Sequence, residues 1–372
     1  MRQRQAQAFT TQKAGALPFP RSVRQGRVRP LRWIGEKLGQ PPGSVVRARF
    51  SAYHSRVNEL KRSTGIVSKL AMMGQTPAIL PRLPSEVKPP VLVLLYIALT
   101  ILFTVPWTLL LLHTHRLDIG RGFVIHTQMW APALAAFACC AIYRIPLSFL
   151  GFHWPGGRAM AWGYLLPVAY ATTAYFLVWF TRLAPADCAG FVHASQKSLL
   201  IGAGAGELNA ILIMTFGVLQ SAVSATGEEI GWRGFLVPVL AQRLNFTGVA
   251  LVSGAIWALW HYPLILFGTY NSAAPRWVAL LCFTIMILAT GTMAAWLRLK
   301  SGSVWPAALL HACHNAVIQW LFDSMTVETG RAAWFAGEFG IALAVTSILF
   351  AIPIWRKGAD TLALTHRSWS AS

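Results

Sequence analysis

Residues 227–234 read Gly-Glu-Glu-Ile-Gly-Trp-Arg-Gly, and they place two carboxylates and a guanidinium inside an otherwise apolar region, 208–244. An ionisable side chain at the centre of a bilayer costs roughly 2.5–3.5 kcal/mol on insertion scales, so such groups usually have a function. Two later apolar segments also carry polar side chains, His261 in one and His311 with Asn315 in the other. Acid, base and imidazole groups in apolar segments indicate chemistry performed at membrane depth.

The composition favours a membrane protein. Of the 372 residues, 55% are hydrophobic and 12% are charged, whereas a soluble domain is about 25% charged. A helix needs about 20 mainly apolar residues to cross the hydrocarbon core. The sequence therefore predicts an all-α, polytopic membrane bundle of about eight transmembrane helices with a buried polar catalytic cavity. The predicted spans are 91–112, 123–143, 159–180, 208–244, 247–267, 277–297, 303–322 and 334–355.

The N-terminal quarter is strongly basic. Residues 1–89 contain 17 Lys and Arg against three acidic residues, which is +14 of the total net charge of +20. Such a block is usually a solvated, poorly ordered tail, and its cations would be attracted to anionic lipid headgroups. We expect no nucleic-acid binding, because the tail shows no recognisable binding module. An organellar transit peptide and a gene-model extension preceding Met72 or Met73 both stay open.

This reading divides the chain into a basic tail (1–89), a membrane domain (90–357) and a short second tail (358–372). The positive-inside rule places both termini in the cytoplasm, because the basic N-terminus and alternate connections carry the excess of Lys and Arg. We therefore expect a multi-pass protein of the cell membrane. The sequence does not choose between a bacterial plasma membrane and an organellar one.

The long region 208–244 can end near Gly227 or continue through the acidic motif. At about 1.5 Å rise per residue, the second option brings Glu228, His261 and His311 to a similar depth below the cytoplasmic surface. The first option would leave the carboxylates at that surface, away from the histidines. We therefore predict one continuous helix, with a kink at Pro238.

The spacing within the motifs assigns different roles to the two glutamates. Adjacent helical residues point about 100° apart, so Glu228 and Glu229 cannot face one partner. Glu229 and Arg233 have the i, i+4 spacing of an ion pair, which leaves Glu228 free to face a cavity. Peptide hydrolysis needs a base to activate water and donors for the oxyanion, and a carboxylate, two imidazoles and the Asn315 amide supply such groups.

A metal-dependent mechanism is the alternative. Two His and one Glu form a known catalytic zinc set, so Glu228, His261 and His311 would be the ligands. Asn is a poor zinc ligand, however, and no HExxH helix is present. If Glu228 bound the metal, another group would have to act as base. The residues leave zinc-dependent and glutamate-based mechanisms both open.

Three motifs together resemble the CPBP group of intramembrane proteases, which includes the type II CAAX prenyl endopeptidases and the bacterial Abi or bacteriocin-immunity proteins. The group's EExxxR motif is matched by residues 228–233, its FxxxH motif by 257–261 and its HxxxN motif by 311–315. Trp257 stands where the group usually has Phe, which keeps an aromatic wall. The resemblance covers roughly residues 90–355.

The resemblance implies an eight-helix membrane fold with four side chains around a catalytic water. They are Glu228, which activates the water, His261 and His311, which orient it or bind zinc, and Asn315, which stabilises the oxyanion. The resemblance also supports Glu229 and Arg233 as assisting residues. His314 adjoins the third motif but turns to another helix face, so we expect it to be a packing residue or a backup ligand.

We therefore predict an intramembrane endopeptidase that acts on a membrane-anchored peptide or protein, either a CAAX-type C-terminus or a small precursor. Two alternatives remain: a non-enzymatic immunity or partner-binding membrane protein, and a proton-coupled transporter. The transporter is disfavoured because we detect no internal repeat, which such proteins often contain.

Overall fold

The structure, a computed structural model, describes residues 81–120 and 122–370. Nearly all of the predicted basic tail lies outside these residues. The described part is helical with no strand, and Ala186 and Thr326 form an isolated β-bridge. The helices are α1 (Pro89–Thr114), α2 (Phe123–Met129), α3 (Ala131–Ile142), α4 (Gly157–Phe180), α5 (Cys188–Leu199), α6 (Ala205–Ala241), α7 (Phe246–Phe267), α8 (Arg276–Ser301), α9 (Trp305–Asn315), α10 (Ala332–Phe335) and α11 (Ile341–Ser370).

Among the described residues, seven helical segments are long and apolar enough to cross a membrane. The predicted polytopic helical bundle is therefore confirmed, with one span fewer than the eight expected. The difference is the predicted span 303–322, where the 11-residue helix α9 runs into a π-helical segment, Ala316–Phe322. The span 303–322 as a whole carries several polar side chains, which lower its mean hydropathy: Ser303, His311, His314, Asn315 and Gln319.

The last predicted span, 334–355, begins too early. Helix α11 starts at Ile341, because Gly337 adopts φ +76° in the left-handed region and prevents an earlier start. The helix also continues to Ser370 without a break at 357, so the boundary predicted there does not coincide with a helix end. The orientation of the termini stays a prediction.

The prediction of one continuous helix through the acidic motif is confirmed. Helix α6 spans 37 residues, and residues Ile230–Leu236 within it form a π-helical segment that ends two residues before Pro238. Proline removes a backbone donor and disturbs the regular hydrogen-bond ladder. Such π-helical insertions occur frequently at functional sites.

Helix α6 lies unusually close to α1 and α3 at Gly231. A methyl group at this position would lie 2.4 Å from Cβ of Pro132 and 2.5 Å from the hydroxyl oxygen of Tyr96. Only a residue without a side chain allows this approach. On another side, α6 packs against α9, which also packs against α4. The acidic motif is thereby held in the centre of the bundle, opposite the HxxxN motif.

Candidate active site

A cavity of about 320 Å³ opens between α6, α7 and α9. Its lining includes the four side chains that the sequence singled out, Glu228, His261, His311 and Asn315. They come from three different helices, α6, α7 and α9. The structure thus brings the predicted set to one cavity.

Glu228 is 1% exposed and is held by two tryptophans. Its Oε2 accepts hydrogen bonds from Nε1 of Trp257 at 2.7 Å and from Nε1 of Trp232 at 3.3 Å. Hydrogen bonds to a carboxylate offset much of the cost of burying its charge. Since both bonds end on one oxygen, Oε1 is the atom that remains for a ligand in the cavity.

Glu229 faces away from Glu228, as the helical spacing predicts, and connects two motifs. Its Oε1 accepts a hydrogen bond from Nη1 of Arg233 at 2.8 Å and another from Nδ1 of His311 at 3.0 Å. The predicted pair with Arg233 is therefore present, with both side chains fully buried. The same carboxylate also orients His311, a contact that the sequence analysis did not predict.

Arg233 has a second interaction with the site. Its guanidinium carbon lies 4.0 Å above the ring of Trp257, within the range of a cation–π contact. Trp257 thus contacts two charged side chains of α6. Its indole N–H donates to Glu228, and its ring face lies against Arg233. The aromatic wall expected at this position is present, and it has a polar role as well.

The two histidines that line the cavity are held by the same ring nitrogen, Nδ1. Nδ1 of His261 lies 2.9 Å from the carbonyl oxygen of Trp257, and a carbonyl can only accept, so this nitrogen carries the proton. Nδ1 of His311 donates in the same way to Glu229. In a neutral ring, Nε2 is then an acceptor. Both imidazoles therefore offer an Nε2 lone pair to a water or another ligand.

The described side chains do not form a metal-ligand set. Among residues 81–120 and 122–370, no group of three or more His, Cys, Asp and Glu side chains is placed to hold a metal ion. As the described side chains are placed, Glu228, His261 and His311 thus do not form a three-ligand zinc group.

A second polar cluster, centred on Glu338, lines the same cavity. This carboxylate precedes α11 and accepts hydrogen bonds from Tyr270, His314 and Gln319. Burial by itself raises the pKa of Glu338, but these hydrogen bonds lower the pKa to about 2. Glu338 is therefore ionised at neutral pH.

His314 is fully engaged in this cluster. Its Nε2 lies 3.1 Å from Oε1 of Glu338, and its Nδ1 lies 2.6 Å from the hydroxyl oxygen of Tyr170. A ring protonated on Nε2 satisfies both contacts. No ring nitrogen of His314 is left for a metal, which favours packing over a backup-ligand role.

Comparison with known proteins identifies the segment that carries these motifs. The family model described as Type II CAAX prenyl endopeptidase Rce1-like matches residues 210–317. The resemblance to the CPBP group is confirmed. A curated relative, "CAAX prenyl protease 2" of Methanococcus maripaludis, is 31% identical over 121 residues, which covers 29% of this chain and 42% of the relative. The chain thus spans less than half of the curated relative that it matches.

Sequence analysis also missed three other features of the candidate site. Trp257 was expected only as part of an aromatic wall and Trp232 was assigned no role, so neither was predicted to donate a hydrogen bond to Glu228. Glu338 lies outside the matched segment and was placed inside a predicted span. An acidic residue within such a span is itself a signal for function, and this signal could have identified it.

Proposed function

We propose that this protein is an intramembrane endopeptidase that hydrolyses a peptide bond of a membrane-anchored protein or peptide. The observation that carries the proposal is the convergence of Glu228, His261, His311 and Asn315 on one buried cavity. The match of residues 210–317 to a prenyl endopeptidase family supports it.

In this mechanism Glu228 is the general base. Its Oε1 takes a proton from a water molecule in the cavity, while Oε2 stays fixed by the indoles of Trp257 and Trp232. The second hydrogen of the water stays on its oxygen and forms a hydrogen bond to Nε2 of His261 or His311. The Nδ1 protons of these rings are donated to the Trp257 carbonyl and to Glu229. A base fixed in this way needs little rearrangement when the reaction starts.

The activated water attacks the peptide carbonyl carbon, and a tetrahedral oxyanion forms. The Asn315 side-chain amide donates to that oxyanion, because a neutral amide N–H stabilises negative charge as it develops. The C–N bond then breaks, and the proton held by Glu228 moves to the leaving nitrogen. The products are a carboxylic acid and an amine, and Glu228 returns to its starting state.

The walls of the cavity suggest how a peptide binds. Gln128, from α2, lines the cavity and is 1% exposed, and its side-chain oxygen has no hydrogen-bond partner among the described residues. A buried acceptor without a partner is costly, and a substrate amide N–H would satisfy it. Aromatic and aliphatic side chains line much of the remaining surface, which suits an apolar or lipidated peptide.

The curated relative is named a prenyl protease, so we propose a C-terminal CAAX-type segment as the substrate class. A prenyl group on cysteine anchors such a segment to the bilayer. The anchor would hold the peptide bond near the membrane, where the cavity can receive it.

The test uses the full chain, purified into lipid nanodiscs. The substrate is one fluorescent peptide that ends in a CAAX sequence, prepared in a prenylated and in an unmodified form. We expect the prenylated peptide to be cleaved and the unmodified peptide to be cleaved much more slowly, with product detected by mass spectrometry. Equal cleavage of both would overturn the substrate class but not the hydrolytic function. No cleavage of any membrane-anchored peptide would favour a partner-binding or transport role.

A further inference from the structure

The carboxylate of Glu338 has no role in the proposed chemistry, yet it is 6% exposed and lines the same cavity as Glu228. Both of its oxygens are occupied. Oε1 accepts from His314 at 3.1 Å and from Gln319 at 3.0 Å, and Oε2 accepts from the Tyr270 hydroxyl at 2.6 Å. Because neither oxygen is free, Glu338 is poorly suited to act as a second base.

One of its donors forms part of the wall around His261. The ring of Tyr270 lies 6.1 Å from that of His261 and 5.9 Å from that of Phe283, which in turn lies 5.0 Å from His261. Tyr270 follows the end of α7 and belongs to a connecting segment. The hydrogen bond to Glu338 therefore fixes a loop residue against the imidazole.

The other side of Glu338 reaches helix α9. His314 immediately precedes Asn315, and it is clamped between Glu338 and the Tyr170 hydroxyl of α4. Rotation of α9 about its axis would break both contacts. Glu338 thereby links the segment that flanks His261 to the helix turn that carries His311 and Asn315.

We propose that Glu338 is a positioning residue, which holds Tyr270 against His261 and fixes the turn of α9 that presents Asn315 to the cavity. The proposal rests on the hydrolytic function proposed above. A buried carboxylate that only joined helices could be replaced by apolar residues without loss. Glu338 instead lines the cavity. Its donors lie in helix α9 and the segment after it, His314 and Gln319, and in the segment after helix α7, Tyr270.

The chain offers a matched control for the Tyr270 hydroxyl. Tyr262 is also partly buried, adjoins His261 in sequence, and pairs through its hydroxyl with Thr284 at 2.8 Å. It does not line the cavity described above. Tyr262→Phe, like Tyr270→Phe, removes one hydrogen bond made by a tyrosine hydroxyl, but it removes no contact with Glu338.

The test compares Glu338→Gln, Tyr270→Phe, the double variant and Tyr262→Phe in nanodiscs, with folding checked by thermal unfolding. We expect kcat of Glu338→Gln and of Tyr270→Phe to fall by about ten- to a hundred-fold, because small misplacement of reacting groups has effects of this size. KM of both variants should change by less than about twofold. The double variant should lose no more than the worse single variant, and Tyr262→Phe should retain its kcat. The proposal would be overturned if the loss of kcat in the double variant equalled the product of the two single losses. A wild-type kcat in Glu338→Gln would also overturn it.

A second readout does not depend on turnover. The imidazole resonances of labelled His261 report the surrounding aromatic rings, and the His261→Gln variant assigns them. We expect Glu338→Gln and Tyr270→Phe to shift these resonances and Tyr262→Phe to leave them in place. Unchanged resonances in Tyr270→Phe would contradict the positioning role, even if Glu338→Gln failed to fold. If the wild-type protein cleaves no peptide but the resonances shift as expected, the result would count against the hydrolytic function and not against the positioning role of Glu338.

Discussion

The indole nitrogen of Trp257 donates a 2.7 Å hydrogen bond to Oε2 of Glu228. It is the shorter of two indole contacts that hold this carboxylate in a buried position. The CPBP motif has Phe at this place, and Phe has no donor. The Trp at this position therefore adds a polar restraint on the proposed base.

Trp257→Phe should keep the aromatic wall and the contact with Arg233 while removing the donor to Glu228. A hydrogen bond to a charged group is worth about 1.5–3 kcal/mol, so we expect turnover to fall by roughly ten- to a hundred-fold. The control is Trp305→Phe, which removes an indole bond to the carbonyl of Phe152. Comparable losses in both variants would show that general destabilisation, not the Glu228 contact, is responsible.

The buried pair of Glu229 and Arg233 should be essential as a pair. Arg233→Met leaves a buried carboxylate with His311 as its remaining donor, and we expect about 3–5 kcal/mol lower free energy of unfolding. The double variant Glu229→Gln, Arg233→Met should recover part of this loss, because no uncompensated charge remains. Denaturation in mixed micelles measures both, and strictly additive losses would contradict a coupled pair.

Asp323, which does not line the cavity, gives a pH dependence of stability. Burial raises the pKa of Asp323 to about 6 from 3.8, although the hydrogen bond from Tyr175 opposes the shift. The folded state therefore binds this proton more tightly than the unfolded state. The contribution is present below pH 3.8 and is lost as pH rises through about 6.

The expected loss is at most about 3 kcal/mol, since one pKa unit corresponds to about 1.4 kcal/mol. Asp323→Asn should flatten the unfolding free energy between pH 4 and pH 7, because an amide does not titrate in this range. A wild-type profile that rises with pH, or a variant with the same slope, would contradict this assignment.

Metal removal distinguishes the two mechanisms that the sequence leaves open. The described side chains form no metal-ligand group, and we propose glutamate-based hydrolysis. Incubation with 1,10-phenanthroline followed by dialysis should leave turnover within about twofold. Loss of activity that returns on addition of zinc would contradict the glutamate-based mechanism.

Helical periodicity and depth predicted which of these side chains lie together in the structure. The i, i+4 spacing of Glu229 and Arg233 appears as a 2.8 Å ion pair, and the shared depth of Glu228, His261 and His311 appears as a common cavity. These features depend on the local geometry of single helices and on bilayer dimensions. Both can be estimated from the sequence before the packing of the helices is known.

Contacts between distant segments could not be predicted. The bond between His311 and Glu229 joins residues 82 positions apart, and the bond between Tyr270 and Glu338 joins residues 68 positions apart. Such pairs depend on helix packing, which one sequence does not reveal. The late start of α11 depends on the left-handed conformation of Gly337, which an apolar run of this length conceals.

The central claim is that Glu228 activates water for hydrolysis, and the most direct measurement is the turnover of Glu228→Gln in the purified full chain. Glutamine keeps the size of the side chain and an oxygen for the indole donors, but it cannot take a proton. We predict a loss of turnover of at least about a hundred-fold, with thermal unfolding close to that of the wild type. Turnover within twofold of the wild type would contradict the account.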